Sequence, residues 1–404
     1  MRGVAGDGSD EVRRSQEDWR RVRGELGRRR YALSQTALEL YPRVARVAGT
    51  SLLTRPRWQP DAPVPLERVS LSWQPGGPAG AVDGTGPESA GVRPLRGDGT
   101  RFPGYADALG ALSPPALLEN RACYRLAGVD VGPGSAHLRF GEGRYFEGLN
   151  VGEAVAHEYA AAALDRAAAG GLPPLAGLPL RSRIGDPTDL RRRPVLTAIC
   201  TLVLRADRAS GQARMILHWR DPDRVASNGG LYQVAPVGVF QPSHDAPWNW
   251  RNDFSLWHGM VRELAEELLG APEDYRSDTA AIDYERWPLH ATLSQARRAG
   301  SLRVFWLGLG IDPLTLSCDM LTVAVFDAGL FDATFAGLVA ANDEGRIVTE
   351  PGATGPATGA AFRHEEIERF TRHEPMQAAG AALLRTAWQH RDTLLGSWQG
   401  RITG

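Results

Sequence analysis

Three carboxylates stand at i, i+3 and i+4 in the run Arg262-Glu263-Leu264-Ala265-Glu266-Glu267. On a helix those spacings put Glu263, Glu266 and Glu267 on one face. Carboxylates so close repel one another unless something positive sits between them. A hard divalent cation with oxygen ligands is the natural partner of such a set. Leu256, Met260, Val261, Leu264, Leu268 and Leu269 supply an apolar side that would seat the helix on a core. The same charge pattern standing alone is usually a solvated helix face. The flanking elements therefore decide what it means.

Those elements are legible. Residues 195–204 and 214–219 are strand-like runs joined by a hairpin connection at 205–212. A turn at Asn228-Gly229-Gly230 precedes another strand at 231–239, and a polar, aromatic-rich insert fills 241–252. The acidic helix is predicted from about 253 to 269, with Asp253 able to cap it and Pro272 stopping it just after Gly270. Beyond lie a helical stretch at 282–299, strands at 302–310 and 320–326, a helix at 331–342 and two closing helices near 364–372 and 376–394.

Strand, glycine turn, insert, acidic helix and strand in this order resemble the Nudix hydrolase superfamily over roughly residues 190–395. Its signature helix carries Arg-Glu-hydrophobic-any-Glu-Glu, which residues 262–267 match position by position. Gln233-Val234-Ala235-Pro236-Val237-Gly238 is similar to the proline–glycine entry of that family's loop. Phe254 and Leu269 depart from it, standing where the family has a glutamate and a glycine. The resemblance implies an α+β protein with a C-terminal Nudix-like αβα sandwich built on a mixed sheet at 186–396. A smaller mixed α/β N-terminal domain would occupy 1–185, with a Gly/Pro/Ser-rich flexible loop at 74–100.

By that resemblance Glu263, Glu266 and Glu267 are expected to bind Mg²⁺ or Mn²⁺, and Arg262 to orient a carboxylate through a salt bridge. Glu344, in Asn342-Asp343-Glu344-Gly345, is the expected general base. The implied activity is hydrolysis of a diphosphate bond in a small nucleotide-like, nucleoside diphosphate-linked ligand. A bound cation would polarise the phosphoryl oxygen and lower the pKa of an attacking water. The departures at Phe254 and Leu269 motivate an alternative: a ligand-binding or sensor module that keeps the pocket without turnover. Gly238 and Arg220 are expected beside the substrate, Arg220 meeting a phosphate. Trp248, Trp250 and Arg251 in the enlarged loop suit nucleobase stacking, although such an insert can equally pack its own hydrophobic cluster.

Composition narrows the field further. All 46 basic residues are arginine, and the chain has no lysine. Walker-type phosphate loops, Schiff-base chemistry and lysine general bases are thereby excluded. Phosphate recognition must rest on arginine forks, backbone N–H groups or metal. A net charge of −1 gives no electrostatic footprint for nucleic acid. Three scattered cysteines provide no disulfide scaffold or four-cysteine zinc site, and fit a reducing cytoplasm. The polar N-terminus and the lack of a long apolar run predict a cytoplasmic chain with no membrane partner. Arg28-Arg29-Arg30 reads as a solvated helix face. Oligomeric state has no signature in the sequence.

Overall fold

The computed structural model describes residues 5–76, 80–115, 117–167, 171–220, 230–338, 345–348 and 359–396. It is a mixed α/β protein. Its central sheet is built around β4 (Thr197–Asp207), β7 (Leu302–Ile311) and β8 (Cys318–Asp327), numbered in chain order with the strands introduced below. β8 runs parallel to β4, with Cys318 opposite Thr197 and Asp327 opposite Ala206, and antiparallel to β7. These three strands are apolar almost throughout, as strands covered on both faces must be.

Alternation along β4 separates the two faces. Ile199 and Val203 join the cluster that holds Met260, Val261, Leu264 and Leu268 of the acidic helix. Cys200, Leu202 and Leu204 turn the other way, toward Leu383, Leu384 and Ala387 of the helix Ala378–Gln389. The sheet therefore lies between helices. The expected hairpin at 205–212 forms as β4 pairs with β5 (Gln212–Met215), Asp207 opposite Gln212. The short β6 (Val237–Val239) adds to the same edge of β4 nearer its start, with Gly238 opposite Ile199, while β8 holds the opposite edge.

Residues before 185 also enter this sheet. Leu53 pairs with Ile311, and Val64 with Trp306. A second, three-stranded sheet is formed by β1 (Val69–Trp73), β2 (Ala122–Gly132) and β3 (Ser135–Arg144). It joins the first through the Tyr124 N–H donating to the Phe240 carbonyl at 3.1 Å and the Leu126 N–H to that of Val195 at 2.8 Å. One apolar cluster runs from Trp19 through both sheets to Ile347.

Two local expectations are corrected. Within 74–100, the described residues 80–100 are pinned: Val82, Ser89 and Val92 are buried, and Pro87–Val92 forms a 3₁₀ turn whose Val92 carbonyl accepts from the Trp19 indole at 3.1 Å. Burying two valines outweighs the flexibility that Gly and Pro suggest. Nor is the Arg28-Arg29-Arg30 run a wholly solvated face. The helix Ala5–Arg28 ends within the run and a second begins at Arg30, which is only 7% exposed and bonded to Glu153 at 2.6 Å. No described helix is long and apolar enough to cross a membrane.

Candidate functional site

The acidic helix begins as α-helix at Leu256–Glu263 and continues as a π turn over Leu264–Leu268. Its cap is Ser255, whose side chain accepts from the His258 N–H, and not Asp253 as the sequence suggests. Asp253 has another task. Fully buried, it accepts from the Ser243 N–H at 2.7 Å and hydroxyl at 2.6 Å, and from the Tyr284 hydroxyl at 2.9 Å. Arg262 lies 3.5 Å from the same carboxylate. It also donates to the Tyr284 hydroxyl at 2.7 Å and the Gln241 carbonyl at 2.6 Å. So Arg262 does orient a carboxylate, but that of Asp253. The pair ties both ends of the insert to the helix.

With the insert held, β6 lies against the acidic face. A Cβ built on Gly238 would fall 1.8 Å from Cδ of Glu263, so with the carboxylate in this position only glycine fits opposite it. Next to it the Val237 N–H donates to Glu267 at 2.8 Å. Glu266 accepts from the Tyr275 hydroxyl at 2.7 Å. All three glutamates line a cleft of about 740 Å³. Burial, with the charges of Glu266 and Glu267, pushes the Glu263 carboxyl well above the usual carboxylate range. Burial raises Glu266 as well, against the pull of the Tyr275 hydrogen bond.

Could this wall hold a cation? Its donors are all carboxylate oxygens, the set that a hard divalent ion prefers. Yet one oxygen each of Glu266 and Glu267 is already bonded to the protein. Among the described residues no group of three or more His, Cys, Asp or Glu side chains is arranged as a metal site. The donor chemistry fits, while the described arrangement does not gather the three carboxylates as a metal site.

Arg220 and Gly238 line the same cleft as the glutamates. The stacking residues do not. Trp250 packs edge-on against Trp73 and Tyr124, with ring centroids 5.5 and 5.7 Å apart, in an aromatic cluster that also takes in Phe254. Trp248 is 44% exposed and donates to the Ser277 carbonyl, and Arg251 is exposed outside the cleft. Trp250 turns inward because six aromatic rings, Trp73, Tyr124, Phe140, Phe240, Trp250 and Phe254, meet there and bury one another. Glu344, with Asp343, lies outside the described residues.

Sequence reasoning missed Tyr275 and the contribution from far upstream. Arg121 stands on the cleft, donating to Glu273 at 3.1 Å and to the Ser243 carbonyl at 3.0 Å, and Glu119 and Tyr145 lie beside it. More than a hundred residues separate Arg121 from the acidic helix, and no local pattern marks it. Compared with models of known families the chain matches none, and a comparison with curated proteins likewise finds no match.

Proposed function

We propose that this cleft is the site of a Nudix-like, divalent-cation-dependent hydrolase acting on a diphosphate bond in a small nucleotide-like ligand, within a C-terminal αβα sandwich. The observation that carries the reading is the lining of one cleft wall by three glutamates of a single helix, with Gly238 seated against Glu263. Glu263, Glu266 and Glu267 would hold the ion, Mg²⁺ or Mn²⁺. Once bound, it supplies Lewis acidity toward a phosphoryl oxygen and an activated water. Arg121 and Arg220 give the cleft two guanidinium groups suited to phosphate oxygens. Asp253 and Arg262 hold the insert that forms the cleft's far side. Glu344 is proposed as the general base.

The test is diphosphate hydrolysis by the full chain over nucleoside diphosphate sugars, dinucleotides and ADP-ribose, with Mg²⁺ or Mn²⁺. Turnover abolished in Glu266→Gln supports the reading, and absence of turnover across the panel overturns it. A second reading, a ligand-binding or sensor module without turnover, is favoured by the Tyr275 and Val237 bonds that already occupy Glu266 and Glu267. A ligand-induced thermal shift with no product released supports that one.

A further inference from the structure

A second crevice, of about 320 Å³, opens where the N-terminal helices meet the first residues of β4 and β8. Tyr145 and Val239 stand between it and the acidic cleft, lining both. A smaller pocket of about 90 Å³ continues from it past Arg30, Ser317 and Asp319.

Two of its side chains have unmet electrostatic needs. Arg30 is 7% exposed and gives one guanidinium nitrogen to Glu153, but its Nε–H is buried without an acceptor. Glu153 is shared with Arg23, so this cluster of two guanidinium groups and one carboxylate keeps a surplus positive charge. On the other side, Asp319 accepts from the Cys200 thiol at 3.3 Å, a weak donor, and no arginine of the described residues lies within ion-pair distance. The neighbouring Asp312 adds a second negative charge. Its carboxylate is spent on the Leu314 and Thr315 N–H groups at 2.9 and 2.8 Å.

A buried guanidinium donor without an acceptor and a carboxylate without a countercharge both cost free energy. One molecule can offset both. We propose that this crevice binds a small zwitterion of the free α-amino acid class, its ammonium donating to Asp319 and its carboxylate accepting from Arg30. A lone anion would be repelled by Asp319, and a lone cation by the surplus charge at Arg30. The volume equals that of roughly ten liquid waters, sufficient for such a molecule. The proposal is independent of the hydrolase reading and stands if the acidic cleft proves inert.

The experiment, at about pH 8 where Asp319 is ionised, is calorimetric titration and thermal shift of the full chain with a panel of free α-amino acids, with methylamine and acetate as half-ligands. At least one amino acid binds the wild-type chain, and neither half-ligand matches it. Asp319→Asn, nearly isosteric, weakens that binding about ten-fold or more, the loss of one charge-assisted hydrogen bond. Ala198→Leu, which fills the crevice from β4 without changing its charge, weakens it independently. Glu266→Gln leaves it unchanged, which separates this site from the acidic cleft. Overturning results are no binding by any member of the panel, binding indifferent to both crevice variants, or acetate binding as tightly as the amino acid.

Discussion

Gly238 and Glu263 are in contact across the strand–helix boundary, with no room for a methyl group between them: a Cβ on Gly238 would lie 1.8 Å from Cδ and 1.9 Å from Oε1 of the glutamate. This backbone conformation needs no positive φ, so the demand for glycine here is one of space. The strand brings its amides to the acidic wall because it has no side chain at that position.

Gly238→Ala is expected to leave the fold intact and displace the Glu263 carboxylate, since a side-chain tip yields more readily than the sheet. Mn²⁺ titration followed by calorimetry checks this. The variant binds the ion at least about ten-fold more weakly than wild type, which corresponds to about 1.4 kcal/mol, while its far-UV circular dichroism is unchanged. Equal affinity would mean that the Gly238 contact has no part in setting the wall.

Asp253 and Arg262 are both buried, with side-chain exposures of 0% and 5%. Removing either one leaves its partner charged and without a counterion. Asp253→Ala is expected to cost about 3–5 kcal/mol in urea unfolding. The double variant with Arg262→Met costs less than the sum of the singles, because no orphan charge remains. Additivity would show that the two do not act as a pair.

Burial, with the charge of Asp312, raises the Asp319 carboxyl to about 7, against the pull of the Cys200 thiol. Between about pH 4 and 7 the folded chain keeps a proton that the unfolded chain has released. Stability from this group is therefore full below about pH 4 and falls as pH rises toward 7, by up to about 4 kcal/mol. Glu263 adds to the same slope. Asp319→Asn should match wild type in acid and be the more stable of the two near pH ~8. Urea midpoints measured across that range decide it, and parallel curves for the two proteins would rule the idea out.

The two tryptophans of the insert should separate. Trp250→Ala removes a ring packed on Trp73 and Tyr124, and is expected to cost about 2–4 kcal/mol. Trp248→Ala removes an exposed ring and one hydrogen bond to Ser277, for about 1 kcal/mol or less. Thermal unfolding of the two variants checks the ranking. A larger loss in Trp248→Ala would reverse the assignment of Trp250 to the packed cluster.

Periodicity within the chain fixed a good deal. The long strands at 197–207, 302–311 and 318–327 and the seating of the acidic helix followed from apolar spacing, a local property that any packing partner must respect. The i, i+3, i+4 glutamates were equally plain, and the hairpin at 205–212 formed where turn residues placed it. What spacing could not reveal was that a π turn carries Glu266 and Glu267, with Tyr275 and Val237 taking an oxygen from each. Those directions depend on neighbours outside the helix. Asp253 reads as a cap beside the helix start, but it is recruited by Ser243, Tyr284 and Arg262 once the insert folds back.

Tertiary structure alone decided what meets across long stretches of chain. Arg121 reaches the cleft from before the first half ends, Arg30 comes to the same crevice as Asp319, and Trp250 turns inward to Trp73. The reason is physical: periodicity records which face of an element is apolar, whereas the partner of a buried charge or ring is chosen by packing between elements whose order in space the chain does not spell out.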